Sequence, residues 1–123
     1  MNERLTLTQI LLLAAYAAGM SGGQLLFKSA ALRYGAAGGD TSERLFGLLH
    51  NVYFLVAVLL YAGLSVLWVW LLSFTPLSRA YPFVALAFAL TPFLGALVFQ
   101  EAVSARLIIG VLFVLCGLFF VVG

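Results

Sequence analysis

The sequence predicts an all-α membrane protein with four transmembrane helices. Of its 123 residues, 65% are hydrophobic and 8% are charged, whereas an ordinary soluble domain carries about 25% charged residues. A soluble fold of this size could not hide so much apolar surface, because small domains leave much of their surface exposed. Apolar segments long enough to cross a hydrocarbon core of about 30 Å account for most of the chain. We place them at residues 7–34, 51–74, 80–100 and 107–123.

The connections between these segments predict their arrangement. Residues 75–79 join segments two and three, and residues 101–106 join segments three and four. Links this short force neighbouring helices to run antiparallel, so we expect an up-down-up-down bundle. The longer first connection, residues 35–50, carries apolar side chains beside Glu43 and Arg44. This pattern predicts a short helix at the membrane interface.

Several function classes find no support in the residue content. The six basic and four acidic side chains form no run, so nucleic-acid binding is not expected. Cys116 and His50 are the single cysteine and histidine, too few for a Cys/His metal cluster. There is no carboxylate pair, and the glycine-rich stretch 35–39 lacks the Lys-Ser/Thr of a phosphate-binding loop. We therefore expect neither an enzyme nor a bound cofactor or metal.

A polar stripe marks the end of segment one. Gln24 and Lys28 are four residues apart, and Ser21 precedes Gln24 by three, so all three share one helix face. Such a stripe normally faces protein or water, because exposing it to lipid is costly. Lys28 would then hold an anionic group such as a phosphate. The equally favoured alternative is that its side chain reaches out to the membrane interface.

Pairs of glycines predict two helix-packing surfaces. Gly19 and Gly23 have the Gly-x-x-x-Gly spacing that lets a neighbouring helix approach closely. Gly110 and Gly117 are seven residues apart and therefore lie on one face of segment four. We expect both pairs to serve packing.

Segment three contains two prolines and is bracketed by two charged residues. Pro82 lies in the first turn, where its missing N–H costs little. Pro92 lies mid-span and leaves the carbonyl of Phe88 without its helical donor, which predicts a kink. Bent helices at this depth often mark transport paths, and a kink needed only for packing is the alternative. Arg79 and Glu101 suit interfacial anchors, and Glu101 is the candidate to meet a cationic group.

Three motifs carry a family resemblance. Residues 23–28, Gly-Gln-Leu-Leu-Phe-Lys, resemble the Gly-Gln-x-x-x-Lys of small four-helix members of the drug/metabolite transporter superfamily. Residues 76–82 and 100–106, followed by the helix of Gly110, are similar to subunits of the aminoarabinose–undecaprenyl-phosphate flippase. The resemblance covers essentially the whole chain. It implies a multi-pass flippase subunit of the bacterial inner membrane that translocates a polyprenyl-phosphate-linked sugar, aminoarabinose-phosphoundecaprenol.

The resemblance also implies roles for five residues. Lys28, with Arg79, would pair with the phosphate of the lipid-linked substrate. Gln24 and Tyr81 would hydrogen-bond the sugar, and Glu101 would meet an amino substituent. The polyprenyl tail would stay among the membrane lipids while the headgroup moves through a polar groove between helices.

Two further expectations concern partners and alternatives. Four helices make a thin bundle, and related transporters have about twice as many spans, so we expect a homodimer or a heterodimer with a similar small subunit. One alternative is a small-solute or multidrug exporter of the same fold. Small multidrug resistance exporters, however, depend on a glutamate eight residues before the conserved lysine, where this chain has Met20. The other alternative is a non-transporting scaffold subunit, which has little need for a stripe through Gln24 and Lys28.

Overall fold

Helices form every regular element in residues 5–122, the part of the chain that this computed structural model describes. Four helical stretches are long and apolar enough to cross a membrane, judged by length and composition. The predicted all-α fold with four candidate transmembrane helices is therefore confirmed. In chain order the elements are α1 (Leu7–Ala36), α2 (Thr41–Leu48), α3 (Val52–Leu72), α4 (Leu77–Ala80), a 3-10 turn (Tyr81–Phe83), α5 (Val84–Phe99) and α6 (Ala105–Val122).

Side-chain caps begin the helices of the first half. Thr6 and Gln9 form a capping box at the start of α1, each side chain bonding to the backbone N–H of the other. Asp40 caps α2 by accepting from the N–H of Glu43. Gly39 precedes it with a φ of 97°, a backbone conformation that suits glycine. Helix α2 thus lies within the connection where a short helix was predicted, and its placement at a membrane interface stays a prediction.

Asn51 connects the start of α3 to α1. Its side-chain oxygen accepts from the N–H groups of Tyr53 and Phe54, at 3.1 and 3.3 Å, and so caps α3. Its amide nitrogen donates to the carbonyl of Ala30 at 3.1 Å. Asn51 is buried, and these bonds satisfy both ends of its amide group.

Contacts at the other end of α1 show that α3 runs antiparallel to it. The amide of Gln9 donates to the carbonyl of Phe74 and to the hydroxyl of Thr75, just beyond the end of α3. A buried apolar cluster lies at the same end and consists of Leu13, Leu71, Ala80 and Phe83. We call this the Thr6 end of the bundle, and the opposite end, where Asn51 meets Ala30, the Asn51 end.

Helix α1 is central, since it packs against both α3 and α5, whereas α6 packs mainly against α5. An added Cβ at Gly23 would overlap the ring of Tyr61, and one at Gly19 would lie 3.0 Å from the side chain of Leu64. Gly19 and Gly23 thus lie where side chains of α3 pack closely against α1. Gly110 and Gly117 have open space beside them, so their packing role stays a prediction that needs a second subunit.

Candidate functional site

A cleft of about 390 Å³ opens between α1 and α5. Its size falls in the range of ligand sites, which is about 300–1,000 Å³. The walls are mainly apolar, with the amide of Gln24 and the hydroxyl of Thr91 as polar groups. The lining residues are Met20, Gln24, Val84, Ala87, Phe88, Thr91 and Pro92. Pro92, the predicted kink residue, therefore lies on the cleft wall, and α5 remains helical through it.

Tyr61 of α3 positions Gln24 in this cleft. The amide nitrogen of Gln24 donates to the Tyr61 hydroxyl at 2.8 Å, and that hydroxyl donates to the carbonyl of Met20 at 3.0 Å. The ring of Tyr61 also packs against Phe27, with 5.3 Å between centroids. With its nitrogen engaged, Gln24 has its amide oxygen left as an acceptor for a ligand. The only signal for Tyr61 in the sequence is a hydroxyl in the middle of an apolar span, where it needs a partner.

A second polar contact joins α1 to α5 beside the cleft. The hydroxyl of Thr91 donates to that of Ser21 at 3.2 Å. Ser21 is fully buried, so at Ser21 the predicted polar stripe of α1 faces α5 and not lipid. Thr91 was not singled out from the sequence, because which face of α5 meets α1 depends on packing.

An ion pair lies one helical turn beyond the cleft. Lys28, one turn after Gln24, has its amine 3.8 Å from a carboxylate oxygen of Glu101. The same carboxylate lies over Gly95, one turn after Thr91 on α5, since an added Cβ there would be 3.4 Å from it. The two side chains are about half exposed, 47% and 52%, and exposed pairs contribute only about 0–1 kcal/mol to stability. Breaking the pair therefore costs little free energy.

The five residues proposed to bind substrate fall into two groups. Gln24, Lys28 and Glu101 lie together towards the Asn51 end. Arg79 lies at the Thr6 end, where its guanidinium donates to the carbonyl of Val121 at 2.7 Å. Tyr81 is largely exposed nearby, with its ring edge-on to Trp68. The α1 residues at these two levels, Leu13 and Lys28, are about 22 Å apart along the helix axis.

A second cleft, of about 490 Å³, lies between α5 and α6. It shares Phe88 and Pro92 with the first cleft, so the two clefts adjoin each other at the same turn of α5. Arg106 and Ser104 lie at its edge near the Asn51 end. Within residues 5–122, no group of three or more His, Cys, Asp or Glu side chains could hold a metal ion.

Comparison with known proteins gives one informative similarity. Over 96 residues the chain is 34% identical to the "Probable 4-amino-4-deoxy-L-arabinose-phosphoundecaprenol flippase subunit ArnE" of Sodalis glossinidius (strain morsitans). The match spans 77% of this chain and 79% of that protein. No family model and no solved structure matches the chain. The resemblance inferred from the three sequence motifs is confirmed.

Proposed function

We propose that this chain, which belongs to the family of ArnE flippase subunits, translocates a polyprenyl-phosphate-linked amino sugar across the bacterial inner membrane. Its four apolar helices make it a multi-pass membrane protein. Family membership supports a flippase or transporter role rather than an enzymatic one. The relative's name suggests the substrate, 4-amino-4-deoxy-L-arabinose-phosphoundecaprenol, and "subunit" suggests a partner, for which we propose a similar small protein.

The observation that carries the proposal is the ion pair of Lys28 and Glu101 beside the cleft. An amino sugar on a phosphodiester carries one negative and one positive group. On binding, Lys28 would leave the carboxylate of Glu101 and pair with the phosphate. Glu101 would leave the amine of Lys28 and pair with the amine of the sugar. Both new contacts are charge-assisted hydrogen bonds, which are the stronger kind. The free protein therefore already holds the two charges that the headgroup requires.

The cleft itself suits the rest of the substrate. Its apolar wall, including Val84 and Phe88, suits a polyprenyl chain that stays in the hydrocarbon. The amide oxygen of Gln24 and the hydroxyl of Thr91 are available to the hydroxyls of the sugar. Arg79 and Tyr81, at the Thr6 end, would meet the headgroup at the other end of its path.

The exporter alternative receives no comparable support. The position of the exporters' glutamate is taken by Met20, which lines the cleft and whose carbonyl accepts a hydrogen bond from Tyr61. Helix α1, Leu7–Ala36, contains no acidic residue at all. A proton-coupled mechanism of that design therefore has no carboxylate on this helix.

The proposal can be tested by native mass spectrometry of the purified protein. Wild type, Lys28→Met and Glu101→Gln would each be titrated with undecaprenyl phosphate and with its aminoarabinose derivative. Loss of a charge-assisted contact should weaken binding on the order of tenfold or more. We expect Lys28→Met to weaken the binding of both lipids and Glu101→Gln to weaken only the binding of the amino sugar derivative.

Arg106→Met provides the matched control, because Arg106 is a cation near the Asn51 end but outside the first cleft. It should leave both affinities within twofold of wild type. Equal binding of the lipids by wild type and by Lys28→Met would remove Lys28, and with it this assignment of the site, from consideration.

A further inference from the structure

We propose that a basic pocket at the Asn51 end, distinct from both clefts, binds the phosphate headgroup of an anionic membrane phospholipid. The pocket has a volume of about 150 Å³ and lies between the end of α1, α2 and the start of α3. Arg33, Arg44 and His50 line it. None of these residues belongs to the proposed substrate site.

The Nε atom of Arg44 is the strongest sign that a ligand is accommodated. This atom is buried and makes no hydrogen bond within residues 5–122. A buried donor without a partner is unfavourable, because it has lost its water and gained nothing in return. A phosphate oxygen in the pocket would supply the acceptor once the Arg44 side chain turns towards it.

Arg33 supplies a second guanidinium, already held in place. Its guanidinium carbon lies 4.9 Å from the centroid of the Tyr53 ring, a cation–π arrangement that leaves the N–H edges free to bind an anion. The carbonyls of Arg33 and Tyr34 accept from the N–H of Ala37. Two of the carbonyls that would otherwise repel an anion at this helix end are thus occupied.

No carboxylate lines the pocket to neutralise these cations. The two acidic residues of this region point elsewhere, since Asp40 caps the N–H of Glu43 and the carboxylate of Glu43 lies beside Gly39. Among residues 5–122, the ion pair given by the structure is Lys28 with Glu101. An anion would therefore bind to two arginines that have no internal counter-charge.

Helix α2 indicates that the anion belongs to a lipid. It contributes Arg44 to the pocket and exposes the large apolar side chains of Leu45 and Phe46, with Leu49 just beyond its end. Such a helix lies in the membrane interface, with its apolar side chains among the acyl chains. A headgroup phosphate in the pocket would keep its acyl chains against these residues.

The pocket is separate from the cleft. Arg33 follows Lys28 by five residues, which turns it about 140° around α1. The pocket adjoins α2 and α3, whereas the cleft adjoins α5. The two sites can therefore be tested independently.

The test is a titration of the full-length protein with a phosphatidylglycerol, followed by native mass spectrometry. Each arginine gives the phosphate a charge-assisted contact, and losing such a contact weakens binding on the order of tenfold, so Arg33→Met with Arg44→Met should weaken it on the order of 100-fold. Lys28→Met and Arg106→Met should stay within twofold of wild type. An equal affinity in the double arginine variant, with helicity retained by circular dichroism, would overturn the proposal. Arg44→Lys is a second variant for the case in which the double arginine variant misfolds. It keeps the charge but removes Nε, and we expect it to bind phosphatidylglycerol several-fold more weakly than wild type.

Two further arms identify the source of the phosphate. Phe46→Ser should weaken phosphatidylglycerol binding, and inorganic phosphate at about 10 mM should not displace the lipid from wild type. Complete displacement by inorganic phosphate would show a site for a soluble anion and refute the lipid assignment. Undecaprenyl phosphate binding that depends on Arg33 and Arg44 as strongly as on Lys28 would show a loading site for the substrate, which also refutes it.

Discussion

Replacing Gly23 with alanine should weaken the packing of α3 on α1. An added Cβ would overlap the ring of Tyr61, and that ring has little freedom to move away. Its hydroxyl is bonded to Gln24 and to the carbonyl of Met20, and its face packs on Phe27. Relief of the overlap therefore requires the ring to shift, which strains the packing of α3 on α1 and breaks both hydrogen bonds.

The expected magnitude follows from three contributions. Overpacking costs about 1–3 kcal/mol, and loss of the two membrane hydrogen bonds of Tyr61 costs about 0.6 kcal/mol each. The better helix propensity of alanine offsets about 1 kcal/mol. The net loss for Gly23→Ala is about 2 kcal/mol. Gly22→Ala is the matched control, because nothing lies within 4 Å of an added Cβ there, and it should gain up to about 1 kcal/mol.

Reversible unfolding in mixed detergent micelles, followed by circular dichroism, would measure both variants. We expect Gly23→Ala to be about 3 kcal/mol less stable than Gly22→Ala. In a double-mutant cycle, Tyr61→Ala should remove most of that penalty, because it removes the ring that the new methyl group meets. Equal stability of the two alanine variants would refute the close approach of α3 at Gly23.

Two other predictions concern hydrogen bonds between helices. Asn51→Ala should destabilise the protein by about 1–2 kcal/mol through loss of the α3 cap. Asn51→Ser keeps a neutral cap oxygen and should lose mainly the bond to Ala30. Unfolding that ranks the two variants the other way would contradict this division. Thr91→Val should cost about 0.6 kcal/mol, measured in the same unfolding assay. A loss above about 2 kcal/mol would mean that Thr91 does more than bond to Ser21.

The sequence predicted the number and class of helices well, because bilayer thickness demands apolar runs of a minimum length. The structure gives four such helices, of which the third candidate span, Leu77–Phe99, includes the 3-10 turn around Pro82. Helical spacing likewise placed Gln24 and Lys28 on one face. Both lie towards α5, where the cleft and Glu101 are found.

The partners of these residues could not be predicted in the same way. Tyr61 and Thr91 meet the stripe of α1 only because of how α3 and α5 are rotated about their own axes, and packing at positions such as Gly23 sets that rotation. The family resemblance named Lys28 and Arg79 together, but a motif orders residues along the chain and not in space. Their roles in binding, and the dimer, stay predictions.

The distribution of polar groups in the bundle has an electrical consequence. Lys28 is about 32 Å along α1 from Leu7, and its charge therefore lies near one end of the substrate path. The polar side chains in the middle of that path are uncharged; they are those of Ser21, Gln24, Tyr61 and Thr91. A phosphodiester with one ammonium group has no net charge. Under the proposed function, neither protein nor substrate moves net charge across the field, which would otherwise contribute about 2.3 kcal/mol per charge per 100 mV. Translocation is then indifferent to the membrane potential, and the concentrations of substrate on the two faces set its direction.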